Sequence, residues 1–136
     1  MEEQPGLSSE YRTASPWPLF VALGFALSEV GIFLGVFPVA VGGVLLFGGS
    51  VAGILTESGY VTQPWQTLGV LGVAFAAIGA AIIWTGVGDT ASLTAIVAEP
   101  TGVTGRGLAV MVAGVMLVAA GGTGRLMGPT APTAAR

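Results

Sequence analysis

Between Trp17 and Leu55 the chain places a single ionisable side chain, Glu29, in thirty-nine residues. A segment with one charge cannot present a solvated exterior to water, and as a continuous helix it would extend roughly 58 Å at 1.5 Å per residue. That is about twice the ~30 Å hydrocarbon core of a bilayer. The segment therefore reads as two membrane helices folded back on each other. Gly35-Val36-Phe37-Pro38 supplies the break, since the residue before a proline is driven away from helical backbone.

Two further apolar runs follow, and together they predict an all-α integral membrane four-helix bundle. The expected spans are residues 17–36, 39–55, 68–87 and 107–127. Each is close to the ~20 residues that cross a bilayer as a helix. Trp17, Trp65 and Trp84 flank spans at headgroup level, where an indole is stable. Arg106 and Arg125 stand at the two ends of the last span, placed to snorkel toward the interfaces. A mildly apolar stretch at 91–98 is expected to form a short helix on the surface between the third and fourth spans. Residues 1–16 are expected to form a polar, retained tail, because their start is acidic rather than basic. Residues 128–136, rich in Pro, Thr and Ala, are expected to be a disordered tail.

Composition agrees with this architecture. Hydrophobic residues make up 53% of the 136 and charged residues 8%, against about a quarter charged in a soluble domain. Cys and His are both absent, which removes disulfides, thiolate metal sites and histidine ligation of haem, zinc or copper. No cofactor and no metal site are therefore expected. The four basic residues are Arg12, Arg106, Arg125 and Arg136, against seven acidic ones. That balance opposes nucleic-acid binding, which needs a basic footprint, and suits a high-salt habitat. An even number of spans puts both termini on one side. Three of the four arginines fall on that side, so the positive-inside rule places the termini in the cytoplasm.

Glu29 is the one ionisable group read as lying well inside a span. A carboxylate at that depth costs at least ~2.5 kcal/mol on insertion scales. Two roles are open to it: a proton-accepting group, or a neutral acid hydrogen-bonded to a neighbouring helix. The second is favoured, because one acid without another titratable group makes no relay. No cation is assigned to another span, so a charged partner would have to come from another chain.

Small residues mark the packing faces. Gly24, Ser28, Gly31 and Gly35 recur at helical spacing in the first span. Gly49 and Gly53 do so in the second, and Gly72, Ala76 and Ala80 in the third. Such stripes let membrane helices approach closely, and Glu29 lies about 100° away from the stripe of its own helix, so a second face is left for a partner. Met116 and Met127 share a face of the last span; filling of packing gaps is the expected role rather than Cu(I) binding. The glycines around Gly102–Gly107 lack the Lys-Ser/Thr of a phosphate loop. Ser8, Ser9 and Ser50 have no histidine base. No catalytic residue is assigned, and the chain is not expected to be an enzyme.

The stretch 14–60, ASPWPLFVALGFALSEVGIFLGVFPVAVGGVLLFGGSVAGILTESGY, resembles the haloarchaeal "cox cluster proteins", small membrane proteins whose genes lie beside those of haem-copper terminal oxidases. The likeness rests on the SPWP start, the ALSEVGIFLG segment containing Glu29, and FPVAVGGVLLFGGS. It implies a non-catalytic accessory subunit packed against the catalytic subunits of a terminal oxidase, or an oxidase assembly factor. It carries no active site to transfer. A small homo-oligomeric transporter is the alternative from another class. It is less favoured, because transport usually needs polar or charged groups along a path and Glu29 is the only candidate.

Overall fold

The computed structural model describes residues 14–86 and 92–128, and they contain helices and no strands. The helices are α1 (Trp17–Leu34), α2 (Phe37–Glu57), α3 (Pro64–Gly86), α4 (Leu93–Ala98) and α5 (Gly102–Met127). Four of them, all but α4, are long and apolar enough to cross a membrane. The chain is thus a multi-span membrane protein. Most of both expected tails, and Asp89 of the third loop, lie outside the described residues.

Local sequence sets the helix ends. Gly35 closes α1 in the left-handed conformation, φ 73°, which costs a residue without Cβ nothing. The N–H of Val36 then donates back to the Gly31 carbonyl at 2.8 Å. Pro38 falls in the first turn of α2, where its missing N–H breaks no helical bond. The turn is therefore tighter than expected, and α2 begins two residues earlier than residue 39. Gly59, φ 83°, ends α2 in a similar way, with the Tyr60 N–H donating to the Leu55 carbonyl at 3.0 Å.

The last span differs most from expectation. It begins at Gly102 instead of residue 107. Residues 102–106, expected to precede the span, continue the helix; Gly105 there is buried against the Pro100 carbonyl and Ile32, and packing outweighs weak glycine propensity. The short helix expected near 91–98 is α4, capped by Ser92, whose Oγ accepts from the Ala95 N–H at 3.2 Å. Ile96 is buried beneath it while Leu93 and Val97 face outward.

The bundle is two antiparallel hairpins joined through α2. One hairpin is α1 with α2, the other α3 with α5, and α2 also packs on both helices of the second hairpin. α1 sits at the rim: it meets α5 only briefly and forms no packing with α3. Most hydroxyls inside the spans bond back to their own helices. Ser50, almost fully buried, donates to the Leu46 carbonyl at 2.6 Å, and Thr56 and Thr123 make the same bond four residues back. No buried side-chain polar atom among the described residues lacks a partner, as a solvent without hydrogen bonds requires.

Candidate functional site

The hairpins are held by glycines meeting backbone. An added Cβ on Gly24 would sit 2.7 Å from the Gly43 carbonyl oxygen, and one on Gly31 would sit 2.7 Å from the Ala40 Cα. In the second hairpin, Gly72 faces the Gly114 and Val118 backbone, Gly79 faces Gly107 and Met111, and Gly121 faces Gly69. Gly24 and Gly31, Gly72 and Gly79, and Gly107, Gly114 and Gly121 each recur at seven residues. That period keeps one helix face against its neighbour along the whole contact. The period is present in the sequence; the packing faces expected from it include Gly24, Gly31 and Gly72 and omit Gly43, Gly79 and the glycines of α5.

The structure sorts the remaining small residues by role. Ser28 and Ala76 lie at the hairpin seams, beside Gly43 and Gly114 respectively. Gly35 is the turn residue of the first hairpin, with open space around it, so it holds no neighbouring helix. Gly49 likewise meets nothing. Ala80 is exposed, and Gly79 takes the packing position expected of it. Gly53 accommodates the Trp17 ring, and Gly124 accommodates the Trp65 ring. Each hairpin is thus closed at its terminal side by an indole over a glycine. Met116 and Met127 face outward, 47% and 78% exposed, and fill no packing gap.

Glu29 has a charged partner within the chain, contrary to the expectation of a neutral acid or a partner on another chain. The Arg106 Nε donates to both Glu29 carboxylate oxygens at 3.0 Å, and Nη2 donates to Oε2. The reason is register. Glu29 lies five residues before the end of α1 and Arg106 four residues after the start of α5. Those ends share one side of the bundle, so at 1.5 Å per residue both groups lie about 6–8 Å inside it. An expected start at residue 107 places Arg106 outside its span, whereas the observed start at Gly102 brings it to the depth of Glu29.

The pair bounds an apolar cleft. It opens between α1 and α3, is backed by α2 and α5, and has a volume of about 250 Å³. Phe25 and Ile32 form the α1 wall, Ile78 and Ile82 the α3 wall, and Phe47 and Phe75 close the deep end with ring centroids 6.2 Å apart. Ser28 also lines it, but its hydroxyl is already engaged by the Phe25 carbonyl at 2.7 Å. The cleft can hold an apolar body and offer charge at one end. Its walls contain no nucleophile–base arrangement.

Fold and site define a four-span integral membrane protein with a lateral apolar cleft bounded by an arginine–glutamate pair. The chain belongs to the Family of unknown function (DUF7541), whose profile matches residues 1–127. Comparison with curated proteins and with solved structures gives no match.

Proposed function

We propose that this chain is a non-catalytic accessory membrane subunit of a haem-copper terminal oxidase, lying against the catalytic subunits within the bilayer with both termini in the cytoplasm. The observation that carries the reading is where the resembling stretch falls. Residues 14–60 span the whole α1–α2 hairpin and its closing turn, one structural unit at the rim of the bundle. On its outer side Leu23, Leu27, Val30 and Leu34 recur at alternating four- and three-residue steps and are exposed. That is the spacing of a helix–helix seam, turned away from α2 and from the cleft. The internal satisfaction of span hydroxyls favours a docking role over transport, which needs a polar route.

The test is affinity purification of the tagged full chain from its native membranes in mild detergent. Haem absorbance in near-equal proportion to the chain is expected. Replacing Leu23, Leu27 and Val30 together by Ala should release the haem while leaving the bundle folded. A wild-type preparation free of haem and of oxidase subunits would overturn the proposal.

A further inference from the structure

We infer that the cleft between α1 and α3 is a binding slot for one hydrocarbon chain of a phospholipid from the leaflet on the α4 side, with Arg106 meeting its phosphate. The inference concerns the opposite flank of α1 from the leucine seam, and it stands whether or not the chain belongs to an oxidase.

Depth is the first argument. The floor residue Phe47 lies ten residues beyond the start of α2, and Phe75 lies eleven residues before the end of α3. At 1.5 Å per residue both sit about 15–17 Å below the helix ends on that side, close to the middle of a ~30 Å core. Arg106 is about 6 Å below the same ends by the same measure. The slot therefore begins near headgroup level and stops at the bilayer midplane, the depth of one leaflet.

Size and lining are the second. The cleft, about 250 Å³ in volume, has room for a flexible alkyl chain. Walls of Phe, Ile and Val offer water no partners, so an apolar occupant is favoured over solvent.

Charge is the third. Arg106 commits Nε and Nη2 to Glu29, and among the described residues nothing engages Nη1. The arginine side chain remains 44% exposed at the mouth. A partly exposed guanidinium with one uncommitted nitrogen suits phosphate oxygens. Glu29 fixes the arginine's geometry, so it acts as a positioning residue.

Native mass spectrometry of the delipidated full chain, titrated with phosphatidylglycerol or with diacylglycerol of the same chains, tests this. One phosphatidylglycerol per chain is expected, with diacylglycerol bound at least tenfold more weakly. Ile78→Trp, filling the slot from an exposed position on α3, should lower phosphatidylglycerol occupancy at least tenfold. Val115→Trp, equally exposed on α5 but away from the cleft, should leave it unchanged. Circular dichroism verifies folding, and Val110→Phe replaces Ile78→Trp should that variant misfold. Arg106→Gln combined with Glu29→Gln should equalise the two lipids. Undiminished binding in the filled slot, equal affinity for the two lipids in the wild type, or a polypeptide occupying the site in chains from native membranes would each overturn the inference.

Discussion

Arg106 reaches Glu29 across two helices that otherwise scarcely touch, so one ion pair is the principal tie between α1 and α5. Beyond that pair and Ile32, which is buried beside Gly105 of α5, α1 is held by glycine contacts to α2, and those say nothing about how the first hairpin is set against the second. The pair fixes the far side of that relationship and, with it, the width of the cleft.

The two side chains should therefore be energetically coupled. Glu29→Leu and Arg106→Leu each strand one charge inside a span, whereas the double variant strands none. A double-variant cycle on thermal or denaturant unfolding in detergent should give a coupling of about 0.5–3 kcal/mol. The pair is roughly half exposed, so its loss should fall short of that for a fully buried pair. Glu29→Gln, silent were the acid neutral, should destabilise because it leaves Arg106 without its counter-charge. Additive single effects would contradict the pairing.

Glycine substitutions should divide by what they face. Gly114→Ala would drive a Cβ against the Gly72 carbonyl oxygen, 2.5 Å away, and the α3–α5 hairpin must open to admit it. A loss of about 1–3 kcal/mol is expected. Gly122→Ala, with open space around the same helix, should be neutral or stabilise by up to about 1 kcal/mol through helix propensity. Unfolding midpoints of the two variants, measured side by side, check the contrast.

Orientation can be read with single cysteines, since the chain has none of its own. Glu99→Cys, beyond α4, should react with a membrane-impermeant maleimide in intact cells. Gln63→Cys, in the α2–α3 turn, should react only after lysis. The reverse pattern would place the termini outside.

Expressed alone and purified, the chain should carry no haem or copper. With no His or Cys, methionine sulfur is the one remaining soft axial ligand, and Met116 and Met127 point outward from the bundle. Stoichiometric haem in such a preparation, read by its absorption bands, would contradict this.

The sequence by itself determined the class of fold, the number of spans and the α1–α2 turn. Those rest on local or additive physics: the length of apolar runs, the scarcity of charge, and the φ restrictions around Gly35 and Pro38. It also identified Gly24, Ser28, Gly31, Gly72 and Ala76 as small residues on helix faces, because spacing alone sets which residues share a face. Tertiary structure decided the rest. Whether Gly49 and Ala80 pack, whether Gly102 and Gly105 belong to a loop or a helix, and which cation Glu29 meets all depend on what lies opposite in space. The last is the instructive case. Glu29 and Arg106 are separated by 77 residues, and their meeting follows from equal depth below one side of the bundle. Depth becomes readable only once both helix ends are known, and at the start of α5 the buried Gly105 lies against Pro100 and Ile32, contacts its own glycine-rich sequence does not reveal.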